Sequence, residues 1–286
     1  MRQPIFSAYP IFLFLLVNLS TNINCMAQID NQIIKKEYFS DELNTSRDYW
    51  FYIPKEYVEE GNDEFPLMIF LHGNGERGND IEKVLIHGPL KEIQNGRDFP
   101  FFIIAPQMPD FPEGFKYVGS PYSWKEKSRQ PMKRETTDWD IRWDEFYPPY
   151  GWDKISADLI KLINDAKDNY PIDERRIYIT GLSYGGYGTW FMLINYPEIW
   201  AAGVPVCGAG NPKNVYKIGE IPVWLFHGGK DRVILPEWSL ETADSLEASS
   251  GNIRVTVHED LGHNCWERVY EGKDIYYWLL SHSKNR

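Results

Sequence analysis

The stretch that decides the fold spans residues 175–190 and reads RRIYITGLSYGGYGTW. Its first half is rich in β-branched and large apolar residues, which predicts a buried strand, and its second half predicts a helix. Between them, Ser183 has Gly181 two positions before it and Gly185 two positions after it. This G-x-S-x-G pattern predicts a sharp strand-to-helix turn that exposes the serine hydroxyl, because only small residues fit on either side. The alternative is a plain glycine turn, and the rest of the chain decides between the two.

Short apolar segments alternate with amphipathic ones from about residue 47 onward. The strand candidates are RDYWFYIP, PLMIFLHG, FFIIAPQ, RRIYITG, AAGVPVCG, PVWLFHG and NIRVTVHE. The helix candidates are ISADLIKLINDAKDNY, GYGTWFMLINY, PEWSLETADSLEAS and ERVYEGKDIYYWLLS. This alternation predicts an α/β fold with a mostly parallel central sheet and helices on both faces. We expect the first strand or two to run antiparallel at an edge, because RDYWFYIP reaches the next strand with no helix between.

A serine nucleophile needs a base, and the base needs an acid that orients it. The chain order expected with G-x-S-x-G is serine, acid, histidine. Asp231, in LFHGGKDRVI, follows a predicted buried strand through a glycine-rich turn, whereas Glu259 and Asp260 lie too near the candidate base along the chain. His263, in EDLGHNCW, lies in a loop between the last strand and the last helix. We therefore predict Ser183 as nucleophile, Asp231 as acid and His263 as base. The other downstream histidines are expected to be structural or to lie in the tail: His227, His258 and His282.

The same chemistry needs an oxyanion hole, which is formed by backbone N–H groups. One donor should be the N–H of Tyr184, directly after the nucleophile. The other should come from the loop LHGNGERG, whose glycines let the backbone approach a substrate. We predict the N–H of Asn74 as this donor, with Gly75 next to it. His72, in the same run, is expected to pack and to form hydrogen bonds rather than to catalyse.

With these residues assigned, the sequence resembles the α/β-hydrolase family, and more narrowly the bacterial phospholipase/carboxylesterase and feruloyl-esterase-like group. The segments that carry the resemblance span most of residues 47–282: PLMIFLHGNGERG, FFIIAPQMP, RRIYITGLSYGGYGTW, VPVCGAG, PVWLFHGGKDRVI and LGHNCW. The resemblance implies an α/β-hydrolase fold, the same three catalytic residues, and a carboxylesterase acting on acetyl or feruloyl esters of plant polysaccharide. Two alternatives are a serine peptidase of the same fold and a non-catalytic carbohydrate-binding protein with a vestigial triad.

Residues 107–152 form a long connection rich in proline, glycine and aromatic residues. Connections of this length are typically functional or disordered, and the aromatic content argues against disorder. One expectation is a lid near the active site, in which Trp139, Trp143 and Trp152 bind substrate by stacking on sugars or aromatic acids. The other is a loop that folds its aromatic side chains into a satellite core.

The composition, with 43% hydrophobic and 25% charged residues, is that of a globular protein. A net charge of −11 and the lack of a basic stripe argue against a nucleic-acid partner. A Ser-His-Asp mechanism needs no metal and no organic cofactor, so none is predicted. The expected partner is a small-molecule or polysaccharide-linked ester, and no oligomeric state is predicted.

The N-terminus has the three-part layout of a secretory signal: MRQP carries a basic residue, IFLFLLV is apolar, and a polar stretch ends in CMAQ. We expect cleavage after Ala27, which leaves residues 28–286 as one exported domain, periplasmic or extracellular. A lipoprotein anchored through Cys25 is the alternative. The apolar run is too short to span a bilayer comfortably, so no stable membrane insertion is predicted. Cys207 and Cys265 then remain, either as a disulfide or as two buried thiols.

Overall fold

The computed structural model describes residues 32–110 and 151–284. The strands in these ranges are β1 (Ile33–Ser40), β2 (Thr45–Tyr52), β3 (Phe65–Leu71), β4 (Phe102–Pro106), β5 (Ile172–Leu182), β6 (Ala202–Val206), β7 (Val223–Gly228) and β8 (Ile253–His258). They form one sheet in the order β1-β2-β4-β3-β5-β6-β7-β8. β2 is antiparallel to both β1 and β4, and the other neighbours are parallel. The prediction of a mostly parallel sheet with an antiparallel edge is confirmed.

The α-helices of the described ranges are α1 (Gly88–Gln94), α2 (Ser156–Asn169), α3 (Tyr184–Asn195), α4 (Pro236–Ala248), α5 (Trp266–Glu271) and α6 (Asp274–Leu280). Short 3₁₀ turns span Asn74–Glu76, Ile81–Leu85, Val215–Ile218 and His263–Cys265. The stretch ERVYEGKDIYYWLLS, predicted as one helix, belongs to two helices, because the chain leaves helical geometry at Gly272. The sequence analysis also missed β1, an edge strand whose centre is the charged run 35–37, and the short α1.

The core lies on both faces of the sheet. Along β3, Leu67, Ile69 and Leu71 belong to one apolar cluster, whereas Met68 and Phe70 belong to the other. This alternation follows from the period of two in a β-strand, which turns successive side chains to opposite faces. Apolar side chains of α2 and α3 fill the first cluster, and those of α1, α5 and α6 fill the second. β3 is therefore covered on both sides, which is why its sequence is almost continuously apolar.

The carboxyl ends of the parallel strands meet at one edge of the sheet. β3 leads there into the LHGNGERG loop, β5 into Ser183, β7 into the turn before Asp231, and β8 into the turn before His263. In open α/β sheets this edge is where ligands bind. The topology thus brings together side chains that are far apart in the sequence.

Several predictions fall outside the described residues. They concern the export signal of residues 1–27, the tryptophans Trp139 and Trp143, and all of the 107–152 segment except its two ends. Among the helices of residues 32–110 and 151–284, none has the length and apolar character needed to cross a membrane.

Candidate active site

The turn between β5 and α3 holds Ser183 in a rare backbone conformation, with φ 53° and ψ −114°. A non-glycine residue in such a conformation is strained, and this strain is typical of functional sites. The glycines on either side are required by close approach: a Cβ at Gly185 would lie 1.9 Å from the carbonyl oxygen of Leu71, and one at Gly181 would lie 2.4 Å from that of Gly185. The Ser183 N–H donates to the carbonyl of Val206 at 2.9 Å. The hydroxyl is thus presented at the N-terminus of α3, where the helix dipole favours negative charge.

The structure brings the three predicted triad residues together. Ser183 Oγ lies 2.9 Å from His263 Nε2, and His263 Nδ1 lies 2.7 Å from Asp231 Oδ2. Because a carboxylate only accepts hydrogen bonds, Nδ1 of His263 carries a proton, and in the tautomer with that proton alone Nε2 can accept the Ser183 hydroxyl proton. The side chain of His263 is 18% exposed, so the base lies at the surface of the site while the acid lies beneath it.

Asp231 is buried, with 1% of its surface exposed. Its Oδ1 accepts the backbone N–H groups of Val233 at 2.8 Å and Ile234 at 3.0 Å. Burial alone would raise the pKa of this carboxyl, but hydrogen bonds from His227 and His263 and the N–H of Val233 outweigh it, so the pKa lies well below its usual range. The acid is therefore an ionised carboxylate fixed in one orientation, as the orienting member of a triad must be.

His227 is a residue of this site that the sequence analysis assigned only to structure. It is fully buried, and its Nε2 lies 3.1 Å from Asp231 Oδ2 and 2.9 Å from the carbonyl oxygen of Ile234. Its position four residues before Asp231, at the end of a buried strand, is the one sequence signal that points to this contact. The Nε2–H of His227 is thus shared between the Ile234 carbonyl and Asp231, so a second histidine contacts the carboxylate besides His263.

The loop after β3 lies against the turn that holds the predicted nucleophile Ser183, called the nucleophile turn below. A Cβ at Gly73 would sit 2.9 Å from a methyl carbon of Leu182, directly before Ser183. Asn74 and Gly75 are exposed on this loop, and Tyr184 is the first residue of α3. Both predicted sources of oxyanion donors therefore lie at the same edge of the sheet. The assignment of the individual N–H groups stays a prediction.

His72 fixes the start of this loop. Its Nδ1 donates to the carbonyl of Gly73 at 2.6 Å, and its Nε2 accepts the N–H of Met108 at 2.8 Å. Burial lowers the pKa of His72 to about 3, against the smaller opposing effect of the hydrogen bond to Gly73. His72 is thus a neutral residue that ties the loop to the end of β4.

Trp152 does not have the position that a substrate-stacking residue needs. It is fully buried, and its ring centroid lies 5.0 Å from that of His72. A Cβ at Gly188 would lie 2.6 Å from the Trp152 ring, which shows how closely the indole packs against α3. The expectation that Trp152 binds substrate is therefore corrected: it is a core residue at the end of the 107–152 segment.

Cys207 and Cys265 are buried and unbridged in the described part of the chain. Burial, and then the neighbouring Cys265, raises the pKa of the Cys207 thiol well above its usual range. Of the two expectations for these cysteines, the structure shows two buried thiols.

The chemistry that this arrangement supports is activation of a hydroxyl. The Ser183 Oγ–H is within hydrogen-bond reach of a base, and that base is oriented by an ionised acid. The Trp266 ring lies beside this base, 5.1 Å from the His263 ring. Within residues 32–110 and 151–284, no group of three or more His, Cys, Asp or Glu side chains is arranged to hold a metal ion.

Known proteins share parts of this sequence and this fold. The profile of the prolyl oligopeptidase family matches residues 150–225, which include the nucleophile turn. A thermostable esterase of known structure is 30% identical, with a TM-score of 0.66 and coverage of 90% of this chain and 64% of its own. The inferred carboxymethylenebutenolidase of Salmonella typhimurium is 31% identical over 120 residues, which are 38% of this chain and 44% of that protein.

A ferulic acid esterase of the fungus Anaeromyces mucronatus shares the fold at 16% identity, with a TM-score of 0.55 and coverage of 87% of this chain and 90% of its own. The chain spans less than two thirds of the length of the thermostable esterase and of the Salmonella protein. The sheet order, the strained serine turn and these similarities together show that the chain has the α/β-hydrolase fold, which it shares with proteins described as esterases.

Proposed function

We propose that this protein is a serine carboxylesterase that hydrolyses esters through an acyl-enzyme. The observation that carries the proposal is the continuous hydrogen-bonded chain from Ser183 Oγ through His263 to the buried Asp231, with links of 2.9 and 2.7 Å. Both distances lie within the hydrogen-bond reach that a general base needs.

In the proposed reaction, Ser183 Oγ attacks the ester carbonyl carbon while its proton passes to His263 Nε2. Asp231 stabilises the imidazolium that forms, and the N–H groups of Asn74 and Tyr184 bind the oxyanion. The ester C–O bond then breaks, and His263 protonates the departing alcohol. Water attacks the acyl-enzyme by the same route, which releases the carboxylic acid and returns the proton to Ser183.

For the substrate, we propose acetyl or feruloyl esters on plant polysaccharide, met by an exported enzyme. The related fold of a ferulic acid esterase, solved in complex with ferulic acid, supports this class. Half-buried aromatic rings near the triad, those of Tyr184 and Trp266, offer apolar surface for an aromatic acyl group. The N-terminal signal pattern supports export, which would bring the enzyme to polysaccharide substrates outside the cell.

A serine peptidase is the second candidate, and the match of residues 150–225 to the prolyl oligopeptidase family favours it. The same triad cleaves amides when the leaving group is an amine. The two candidates differ in which leaving group the site accepts, so parallel ester and amide substrates distinguish them.

The test is hydrolysis of a panel by the purified protein: p-nitrophenyl acetate, p-nitrophenyl butyrate, methyl ferulate, acetylated xylan and an acyl-alanine p-nitroanilide. Ser183→Ala is the inactive variant, and Ser281→Ala, at an exposed serine after α6, is the matched control. Loss of the nucleophile is expected to lower kcat by about 10⁶-fold. Turnover of ferulate or xylan by the wild type and Ser281→Ala, but not by Ser183→Ala, is the expected result.

Each other outcome has a defined meaning. Turnover of the anilide alone would indicate a serine peptidase and not an esterase. Ester turnover that survives in Ser183→Ala at more than a few per cent would show that Ser183 is not the nucleophile. No turnover of any substrate would favour a binding protein with a vestigial triad.

A further inference from the structure

Arg77 touches both residues whose backbone N–H groups are the predicted oxyanion donors. Its Nε donates to the side-chain oxygen of Asn74 at 2.8 Å, and its guanidinium carbon lies 4.6 Å from the centre of the Tyr184 ring. Asn74 belongs to the loop after β3, whereas Tyr184 begins the helix after β5. Arg77 therefore bridges two separate segments that must keep a fixed spacing for the oxyanion to be bound.

The guanidinium is held firmly in this bridging position. Arg77 is 5% exposed, and its Nη1 donates to the carbonyl of Pro109 at 2.8 Å. A Cβ at Gly151 would lie 3.1 Å from the same Nη1, so the backbone also confines the side chain there. A planar guanidinium with donors in fixed directions can meet such partners at once, which a lysine ammonium cannot do.

The loop that carries Arg77 is itself anchored to the sheet. The Gln107 side chain donates to the carbonyl of Glu76 at 2.7 Å, and the Arg47 guanidinium donates to the carbonyl of Gly78 at 2.7 Å. These bonds fix the loop on either side of Arg77 to β2 and to the end of β4. The side chain of Arg77 then extends this rigid frame to the nucleophile turn.

Oxyanion donors accelerate a reaction only when they are already aimed at the position that the charge will occupy. We propose that Arg77 is the positioning residue of the oxyanion hole: its guanidinium sets the spacing between the Asn74 loop and the Tyr184 turn. The inference rests on the proposed esterase function, because it assigns a role within that site. Arg77 acts through Asn74 and Tyr184, and it is not itself assigned contact with the substrate.

The test uses three single variants, one double variant and one control. Arg77→Met removes the donors and keeps an apolar stem, and Arg77→Lys keeps the charge without the planar fork. Asn74→Ala removes only the side-chain acceptor of Arg77 Nε and leaves the backbone N–H of residue 74 in place. Its side chain is exposed, so we expect this variant to fold even if Arg77→Met does not. The control is Arg97→Lys, an arginine whose described hydrogen bonds go to the backbone carbonyls of residues 270–272 and not to the triad or the loop after β3.

Two readouts separate positioning from general stability. The first is kcat and KM on p-nitrophenyl acetate. The second is the affinity for a trifluoromethyl ketone and for the matching alcohol. When Ser183 Oγ adds to the ketone carbon, the carbonyl electron pair moves to oxygen and the serine proton passes to His263, which yields a tetrahedral oxyanion. The alcohol forms no oxyanion, so only the ketone depends on the donors.

We expect Arg77→Met and Arg77→Lys to lower kcat by about 10- to 100-fold, which is less than the loss of a complete oxyanion donor. KM and the affinity for the alcohol should change by less than about threefold, while the ketone affinity falls in parallel with kcat. Asn74→Ala should show the same pattern at about three- to tenfold, and combining it with Arg77→Met should add little, because both remove one interaction. Arg97→Lys should leave all four quantities unchanged.

The proposal for Arg77 is overturned if the wild type is active and the Arg77 variants and Asn74→Ala keep the wild-type kcat and ketone affinity. It is also overturned if ketone and alcohol affinities fall equally, since that outcome indicates a general disturbance. If the wild type neither hydrolyses esters nor binds the ketone, the proposed esterase function fails, and the role of Arg77 fails with it.

Discussion

His227 and Asp231 form a hydrogen-bonded pair beneath the active site, with Nε2 of His227 3.1 Å from Oδ2 of Asp231. The same Nε2 lies 2.9 Å from the carbonyl oxygen of Ile234, which can only accept, so Nε2 carries the proton. Oδ2 of Asp231 is also the oxygen that faces His263. His227 and His263 therefore contact the same carboxylate oxygen of Asp231.

Replacing His227 by leucine should weaken the acid without removing any triad member. The loss of one donor to a buried carboxylate should lower the free energy of unfolding by about 2 kcal/mol and raise the pKa of Asp231 toward its usual range. We expect kcat/KM on p-nitrophenyl acetate to fall by roughly tenfold, because a less firmly held acid orients the base less well. Urea unfolding and steady-state kinetics measure the two effects.

His227→Gln is the matched variant, since its side-chain amide offers an N–H donor in nearly the same place. It should recover part of both losses. Equal losses in the leucine and glutamine variants would show that His227 acts by packing and not by its hydrogen bond to Asp231.

The neutral His72 should make the fold less stable as the solution becomes acidic. Its pKa is lowered from 6.5 to about 3 by burial, so below pH 6.5 the unfolded chain binds a proton that the folded chain does not. The contribution is complete above pH 6.5, and it is lost progressively as the pH falls toward 3. Between pH 6 and 4 the expected loss is about 1.4 kcal/mol per pH unit.

His72→Gln removes this titration, so the informative quantity is the difference between wild type and variant in the free energy of unfolding. The free energy of unfolding of the wild type minus that of His72→Gln should decrease steadily from pH 6 to pH 4. Urea unfolding at each pH measures this difference. Contributions of the other titrating groups cancel in the subtraction. A difference that stays constant with pH would mean that folded His72 takes up its proton in the ordinary range.

Trp152 should behave as a core residue. Trp152→Ala is expected to lower the free energy of unfolding by about 3–5 kcal/mol, the usual cost of emptying a buried tryptophan site. Tyr216→Ala, at an aromatic side chain that is 60% exposed, is the control and should change stability by less than about 0.5 kcal/mol. For the fraction of Trp152→Ala that stays folded, the change in kcat/KM on methyl ferulate, expressed as a free energy, should be far smaller than the loss in the free energy of unfolding. A selective loss of activity on methyl ferulate with normal stability would restore the substrate-binding role.

The proximity of Ser183, Asp231 and His263 could be predicted because it depends on topology, which alternating apolar segments reveal. Strands of a parallel sheet end at one edge, so a serine, an acid and a histidine that each follow a strand had to lie near one another. Within the expected chain order, their positions in loops that follow predicted strands then favoured Asp231 and His263 over their rivals. The same reasoning identified seven of the eight described strands. It missed β1, whose centre carries consecutive charged residues at an edge of the sheet.

The remaining features depend on contacts that no local pattern records. The hydrogen bond of His227 to Asp231 needs the turn between them to fold back, and the reach of Arg77 to Tyr184 joins two loops that are distant in the sequence. Trp152 shows the converse error: a tryptophan in an aromatic-rich segment fits a binding surface and a core equally well. Only its packing against α3 decides between them.

The glycines of the site should differ sharply in what they tolerate. A Cβ at Gly185 would lie 1.9 Å from the Leu71 carbonyl oxygen, which is backbone and cannot move aside, so Gly185→Ala should prevent folding or leave only insoluble protein. A Cβ at Gly75 would meet no atom within 4 Å, so Gly75→Ala is the matched control. It retains the backbone N–H of the oxyanion loop, and we expect normal stability and kcat within about threefold of wild type, because the donors are backbone groups. Soluble yield, urea unfolding and ester kinetics make the comparison. A soluble, active Gly185→Ala would contradict the geometry of the nucleophile turn, and a large loss of kcat in a stable Gly75→Ala would show that substrate approaches the loop closely at Gly75.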